Sequence, residues 1–336
     1  MTQVVAVVTV AILILVGVLY RRAGTASDAR LLPPPGRMVD IGGDRRLHLQ
    51  SQGTGGPTVV FEAGISASSL SWARVQPAVA EFARTFSYDR AGLAWSDAST
   101  APITATRCAT QLHQMLDAAA VPGPCVFVSH SYGAFVLQAY AQRHPRNVAA
   151  LVLVDPIYPE EWIDMTRKEA FRLRGGVFLS RVGAVVASTG FVRACLALLA
   201  GGSTVVPRGA ARLFGSEAAR TLDRLAGEVR KMPVETWPAV QSHWSQPKCF
   251  VSMARHLDGL RTSAAEVARC ALPPGVPLVV ITAATQSAAY RAEHERMAAR
   301  STRGRHLVAR GSGHWVHLDE PELVIEAIRG VCRLTS

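Results

Sequence analysis

A serine lies where a strand pattern changes abruptly to a helix pattern, and this feature constrains the fold more than any other. Cys125–Val128 is a short apolar, β-branched run, typical of a strand buried on both faces. Tyr132–Arg143 follows, with apolar residues at helical spacing. Ser131 lies between the two. So tight a turn holds the serine in a strained backbone conformation and exposes its Oγ above the sheet.

The neighbours of Ser131 are small. Ser129 precedes it by two residues and Gly133 follows it by two, which suits a turn where strand and helix backbones nearly touch. The stretch resembles the nucleophile elbow of the α/β-hydrolase fold, in the form small-x-Ser-x-small, with Ser129 in place of the usual first glycine. Such a turn leaves backbone N–H groups aimed at a developing oxyanion. The pattern is short, so its meaning depends on partners elsewhere in the chain.

Upstream of the elbow, strand and turn patterns predict the start of a sheet. Arg37–Gln50 predicts a hairpin around a Gly-Gly-Asp turn, and Thr58–Glu62 predicts a buried strand. In the family, the loop after this strand carries the second oxyanion donor. The resemblance therefore implies that the backbone N–H groups of Ile65 and Tyr132 act together. The alternative is an ordinary glycine turn that ends the strand.

Two helices and a strand are predicted between that loop and the elbow. Trp72–Ala83 and Thr106–Ala119 have helical periodicity, and Thr85–Tyr88 is a short strand pattern. Asp89 and Arg90 follow this strand and could be taken for catalytic groups. We interpret them as structural residues that satisfy the local backbone and each other and hold their loop beside the oxyanion site.

A carboxylate is expected after one of two later strands. Val148–Val154 ends at Asp155, and the carboxyl end of a parallel strand is where open α/β sheets place their sites. In the family the acid of the triad follows this strand or the next one. The next, Val276–Thr282, ends with no carboxylate in the customary place. The resemblance thus implies Asp155 as the acid, and the alternative is an aspartate that braces the strand end through backbone N–H groups.

The final strand pattern leads into a histidine. Arg305–Ala309 is followed, after one arginine, by Gly-Ser-Gly and His314, which resembles the histidine loop of the family. Of ten histidines only His314 has this context. His130 is expected to point away from the nucleophile, and His317 lies on the incoming helix. Metal binding by His314 and His317 would need further ligands that the sequence does not suggest, so we expect neither a metal nor a cofactor.

The resemblance covers about residues 37–332 and implies an α/β-hydrolase fold, with a mostly parallel central sheet and helices on both faces. Residues 37–156 and 273–336 would form the core. Residues 157–272, rich in Arg, Ala and Leu, would form a helical cap inserted after the sixth strand. Within it, Gly176–Ala200 is apolar but divided by arginines into pieces too short to cross a membrane. This segment is either a lid helix that meets lipid or a helix packed on its own domain, and we favour internal packing.

Ser131, Asp155 and His314 occur in the chain order that the family uses. The resemblance implies a serine hydrolase that cleaves a carboxylic ester, of a hydrophobic or lipid-like substrate, through an acyl-enzyme. A serine at the elbow argues against dehalogenase or epoxide hydrolase chemistry, because family members with those activities carry aspartate there. Two alternatives stay open: an acyltransferase using the same residues, and a non-catalytic, membrane-tethered binding protein.

The N-terminus carries an uncharged apolar run, Val4–Tyr20. At about 1.5 Å per residue its 17 residues span roughly 26 Å, near the lower limit for a bilayer. We interpret residues 1–22 as a single-pass anchor and residues 23–36 as a linker. A cleavable signal peptide is the alternative, although no basic residue precedes the run and no A-x-A site follows it. Arg21 and Arg22, which follow the span, favour a cytoplasmic domain.

Composition fits a globular domain near a membrane. The chain is 49% apolar and 18% charged, which excludes global disorder. Its net charge of +11 favours anionic surfaces, and without a helix-turn-helix, zinc-finger or RNA-binding signature a lipid surface is preferred over nucleic acid. The six cysteines show no metal-ligand spacing. A Cys249–Cys270 disulfide would fit only outside the cytosol, and the oligomeric state stays open.

Overall fold

The centre of the protein is an eight-stranded sheet with the order β1-β2-β4-β3-β5-β6-β7-β8. The structure, a computed structural model, describes residues 2–43, 45–201, 203, 227 and 229–335. Neighbouring strands from β4 to β8 are parallel, whereas β2 pairs antiparallel with both β1 and β4. The strands are β1 Arg37–Asp40, β2 Arg46–Gln52, β3 Thr58–Glu62, β4 Arg84–Tyr88, β5 Cys125–His130, β6 Val148–Val154, β7 Leu278–Thr282 and β8 Gly304–Val308.

Helices pack on both faces of the sheet and bury two apolar clusters. One cluster contains Leu112, Phe127 and Phe135, and the other contains Trp72 and Val324. The helices are α1 Thr2–Leu31, α2 Gln76–Ala80, α3 Ala105–Ala118, α4 Gly133–Arg143, α5 Pro159–Ile163, α6 Arg167–Ser188, α7 Phe191–Ala200, α8 Trp237–Trp244, α9 Pro247–Asp258, α10 Leu260–Val267, α11 Ala288–Ala298, α12 Val316–Asp319 and α13 Pro321–Cys332.

The predicted α/β architecture is confirmed. The two apolar runs Thr58–Glu62 and Val148–Val154 are strands with the predicted bounds, because burial on both faces selects continuous apolar sequence. The predicted hairpin is present as β1 and β2, although Asp44 of its turn lies outside the described residues. The predicted helix Trp72–Ala83 is replaced by a 3-10 turn, Ser69–Trp72, and the short helix α2, which begins with Pro77 in its first turn.

Helices α5 to α10 lie between β6 and β7, so the insertion after the sixth strand is present. Among the described residues of 157–272 no strand occurs. Gly176–Ala200 falls in α6 and α7, which meet at an angle of 89°. Internal packing, the expectation for this segment, holds for one face only. Val177, Ser180 and Ala187 are buried, whereas large apolar residues on the opposite face of α6 are exposed.

The expectation of a linker from residue 23 is corrected, because helix α1 continues to Leu31. Residues 23–31 contain no proline, and side chains of this stretch are anchored on the cap: Arg193 donates to both carboxylate oxygens of Asp28, at 2.7 and 2.8 Å. Helix α1 is long and apolar enough to span a membrane, a property that signal sequences share. The thiols of Cys249 and Cys270 are not joined in a disulfide.

Candidate active site

Ser131 lies on the tight turn between β5 and α4 that the sequence predicts. Its φ is +52°, in the left-handed region, and its N–H donates to the carbonyl of Val154 at 3.0 Å. A Cβ on Gly133 would lie 2.8 Å from the carbonyl oxygen of Glu62 and 3.0 Å from that of Ala63. The small residue after the serine is therefore required, because a side chain there would collide with the backbone that follows β3.

The structure brings the side chains of Ser131, Asp155 and His314 together. Nε2 of His314 lies 3.0 Å from Oγ of Ser131, and Nδ1 lies 2.6 Å from Oδ2 of Asp155. Asp155 is fully buried, whereas the His314 side chain is 42% exposed. These residues follow β5, β6 and β8, so their proximity arises because parallel strands end at the same edge of the sheet.

Three hydrogen bonds besides the contact with His314 hold Asp155, one that its backbone donates and two that its carboxylate accepts. Its own N–H donates to the carbonyl of Ile281 at 2.7 Å, with φ of +41° at Asp155. Its Oδ1 accepts from the N–H of Ala283 at 3.0 Å, and its Oδ2 accepts from Nε2 of Gln286 at 2.7 Å. Sequence reasoning missed Gln286. It sits in the loop after β7, where a carboxylate was sought, and it supports the aspartate of the neighbouring strand instead.

Arg90 fixes the loop that leads to Ile65. Its guanidinium donates to the carbonyl oxygens of Ala63, at 2.7 Å, and Gly64, and to the carboxylate of Glu62. Its Nε donates to His256 of α9 at 3.2 Å, so the loop and the cap share one buried cation. The turn and loop hydrogen bonds of the described residues include no donation from the N–H of Ile65 or from that of Tyr132.

The expectation that Asp89 and Arg90 pair with each other is wrong. Arg90 pairs with Glu62, and Asp89 accepts from the N–H of Ser69 at 2.7 Å and pairs with Nδ1 of His48 at 2.8 Å. Burial alone would raise the pKa of Asp89, but the hydrogen bond and charge of His48 outweigh it and lower that pKa. Both residues thus have a structural role, as interpreted from the sequence, but with other partners. These partners lie too far away in sequence to be predicted.

We expect Arg90→Met to destabilise the protein by about 3–5 kcal/mol, because it leaves the buried carboxylate of Glu62 without its cation. Urea unfolding in detergent micelles measures this loss. Arg46→Met is the matched control, since Arg46 pairs with Asp97 on the exposed surface, and its effect should be much smaller. Equal, small losses for the two variants would contradict the structural role of Arg90.

Two buried histidines pack beside His314. Burial lowers the pKa of His130 well below its ordinary value, so its neutral ring donates from Nε2 to the carbonyl of His314 at 2.9 Å. Burial also lowers the pKa of His317, to about 3, with a smaller contribution from His314. The ring of His317 packs against Trp72 and His130. Within the described part of the chain, no group of three or more His, Cys, Asp or Glu side chains could hold a metal ion.

The depressed pKa of His317 predicts acid sensitivity. The unfolded chain binds a proton near pH 6.5 and the folded one only near pH 3, so stability falls as the pH drops below about 6.5. At pH 5 this one group should cost about 2 kcal/mol. His317→Leu should remove that loss, as measured by urea unfolding at pH 7 and pH 5. His113→Leu, which replaces a half-buried histidine on α3, should keep it, and equal pH slopes for both variants would contradict the prediction.

Comparison with known proteins agrees with this architecture. The profile of the alpha/beta hydrolase family matches residues 59–327. The fold and the site geometry define a protein of the α/β-hydrolase class, and the chain belongs to the alpha/beta hydrolase family. The predicted α/β-hydrolase fold is therefore confirmed.

Curated relatives match only part of the chain. YqjL of Bacillus subtilis (strain 168) is 38% identical over 111 residues, which are 33% of this chain and 44% of YqjL. An AB hydrolase superfamily protein of Gibberella zeae is 34% identical over 97 residues, 29% of this chain and 30% of that protein. The matched segments thus span less than half the length of these relatives.

Solved structures similar to this chain include three hydrolases. The epoxide hydrolase CorEH has a TM-score of 0.66 at 16% identity, covering 89% of this chain and 99% of its own. The haloalkane dehalogenase AncHLD2 has a TM-score of 0.64 at 18% identity, covering 89% and 99%. An esterase from Thermogutta terrifontis has a TM-score of 0.58 at 19% identity, covering 89% and 98%. At these identities the likeness concerns the fold.

Proposed function

We propose that the protein is a serine hydrolase that cleaves a carboxylic ester through an acyl-enzyme. The observation that carries this proposal is the hydrogen-bonded series from Ser131 through His314 to Asp155, with contacts of 3.0 and 2.6 Å. A nucleophile, a base and a residue that orients the base need this order and these distances.

In this mechanism His314 accepts the proton of Ser131 through Nε2 as Oγ attacks the ester carbonyl. Asp155 accepts a hydrogen bond from Nδ1–H, which leaves Nε2 unprotonated in the resting state and stabilises the imidazolium that forms. The alcohol leaves with the proton from His314. Water, deprotonated by the same imidazole, then attacks the acyl-enzyme, and the imidazolium returns this proton to Oγ of Ser131 as the bond to the acyl group breaks and the acid is released.

The oxyanion would be bound by the backbone N–H groups of Ile65 and Tyr132. Two features of the structure support this assignment. First, Ile65 ends the 62–65 loop and Tyr132 follows the nucleophile in the elbow. Second, Arg90 binds the carbonyl oxygens of Ala63 and Gly64, so the N–H groups of this loop face away from Arg90. The hydrogen-bond donors are therefore fixed before a substrate arrives, which makes their electrostatic stabilisation effective.

The elbow residue distinguishes ester chemistry from that of the epoxide hydrolase and dehalogenase among the structural neighbours. Family members with those activities use an aspartate as nucleophile at this position, and Ser131 cannot supply a carboxylate. The hydroxyl of Ser131 also depends on a base for activation, and His314 is at hydrogen-bond distance. Serine ester hydrolysis is thus the activity that these residues support best.

A hydrophobic or lipid-like ester is the proposed substrate, and a membrane is the proposed location. The candidate span in α1, the net charge of +11 and the apolar cap support both. Arg21 and Arg22 after the span favour the cytoplasmic face. A panel of p-nitrophenyl esters of graded chain length would define the acyl preference, and an added acceptor alcohol that outcompetes water would identify an acyltransferase instead.

The direct test is labelling of the full-length protein in detergent with a fluorophosphonate probe, which reacts only with an activated serine. Native protein should be labelled at Ser131, and heat-denatured protein should not. His314→Ala should lose labelling, because Oγ then has no base. Absence of labelling in the native protein would overturn the proposal in favour of a binding protein with this fold.

A further inference from the structure

Helix α6 carries an apolar stripe on its outward face. Phe171, Phe178, Val182 and Val185 recur at helical spacing and are 41–77% exposed. The opposite face, which contains Ser180, is packed on the protein. Phe191 at the start of α7 is also 62% exposed. Large apolar side chains exposed along one face of a helix on a folded domain mark an interaction site.

The bend between α6 and α7 contacts α1 backbone to backbone. A Cβ on Gly17 would lie 2.2 Å from the carbonyl oxygen of Thr189, and a Cβ on Gly190 would lie 2.1 Å from that of Gly17. Small residues allow such close approach between membrane helices. Nε of Arg21 also donates to the carbonyl of Ser188 at 3.0 Å. The bend is therefore fixed to the last part of the apolar run.

This contact sets the height of the cap relative to any membrane that α1 enters. The large apolar residues from Val4 to Val16 are 47–69% exposed, so this part of α1 projects from the protein. Gly17 lies inside the apolar run, and the arginines that end it come only four residues later. When the exposed part of α1 is inserted in a bilayer, the bend between α6 and α7 must therefore lie at the bilayer interface.

The charges around the stripe suit an anionic interface. Arg172 and Arg174, one and three residues after Phe171, are exposed, and Arg22 is exposed just after the apolar run. Basic residues that flank exposed Phe, Val and Leu are typical of helices that lie in the headgroup region. Helices α6 and α7 together are also apolar enough to qualify as a bent span.

We infer that the corner formed by α6 and α7 inserts into the interface of an anionic phospholipid bilayer, beside α1. The occupant of the exposed stripe is thus lipid, and α1 and the cap together form one membrane-binding unit. This inference concerns the surface and does not depend on the catalytic proposal.

Depth-dependent quenching tests it. In a Cys195→Ser background, the full-length Val185→Cys variant carries an NBD fluorophore and is reconstituted in phosphatidylcholine–phosphatidylglycerol vesicles with nitroxide-labelled acyl chains. The matched control is Gly55→Cys. Gly55 is exposed with open space for the label, and it precedes β3, so it lies near the amino ends of the parallel strands, opposite the ends that carry Ser131. Val182→Cys supplies a second position on the stripe should Val185→Cys fail to fold.

The label at position 185 should emit at shorter wavelength than the label at position 55, and nitroxide lipid should quench it at least about twofold more. Equal, weak quenching at positions 55 and 185 would overturn the inference. A blue-shifted label at position 185 that nitroxide lipid fails to quench would also overturn it, because a second copy of the chain or another protein would then cover the stripe.

Discussion

Replacing Ser131 by alanine should lower kcat/KM for a p-nitrophenyl ester by about 10³–10⁶-fold while the protein stays folded. The serine Oγ is the atom that would form the acyl-enzyme, and no other hydroxyl can take its place on the tight turn after β5. Alanine fits the space that serine leaves, and the N–H of residue 131 keeps its bond to the carbonyl of Val154. The loss should therefore appear in kcat rather than in stability.

Ser129→Ala is the matched control for this experiment. Ser129 lies two residues earlier, is fully buried, and its Oγ has no hydrogen-bond partner among the described residues. Alanine also keeps the small side chain that the turn needs. This variant should retain activity within about threefold of the parent, because it removes a buried hydroxyl that makes no hydrogen bond and leaves no partner unsatisfied. Unchanged turnover by Ser131→Ala, or equal losses in both variants, would remove Ser131 from the reaction.

The sequence was sufficient for those parts of the fold that depend on local pattern. Strand β6 is an unbroken apolar run whose bounds follow from its burial on both faces. The turn at Ser131 is encoded by the small residues around it, and Gly133 meets the backbone after β3 as that pattern requires. The resemblance to the family, together with the rule that parallel strands end at one edge, predicted that Asp155 and His314 would lie near Ser131.

Contacts that join distant segments could not be predicted in the same way. The carboxylate partner of Arg90 is Glu62, 28 residues earlier, and one of the donors to Asp155 is Gln286, 131 residues later. Polar residues in loops carry no periodicity that would indicate their partners. The extension of α1 to Leu31 depends on similar long-range contacts, including the pair between Asp28 and Arg193.

The outward stripe of α6 shows a different limit. Hydrophobic residues occur around most of this helix, so its sequence indicates burial without indicating what buries each face. Only the position of α6 against α9, with α1 at its end, separates the protein-facing side from the side left exposed. The same apolar sequence is compatible with a core helix and with an interfacial one, and tertiary structure decides between them.

Asp155→Asn should lower kcat/KM by about 10³–10⁴-fold with little loss of structure, since a wrongly oriented histidine tautomer costs this much in serine hydrolases. Asparagine must place one NH₂ where Asp155 has an acceptor. If the NH₂ points towards the N–H of Ala283, two hydrogen-bond donors face each other in the core. If it points towards His314 instead, the imidazole can move its proton to Nε2, and Gln286 can turn its amide so that its oxygen accepts. The arrangement of lower energy therefore leaves Nε2 protonated, and it cannot accept the proton of Ser131.

Gln286→Ala separates this effect from a general loosening of the site. It removes one donor to Oδ2 and leaves the contacts of Asp155 with Ala283 and His314, so we expect a loss of about tenfold or less. Both variants should be assayed with the same ester, with circular dichroism as the check on folding. A tenfold loss or less in Asp155→Asn would show that another residue orients His314. If the buried carboxylate sets the tautomer, kcat/KM should fall about a hundredfold or more further in Asp155→Asn than in Gln286→Ala. The reason is that only Asp155→Asn removes the acceptor for Nδ1–H of His314.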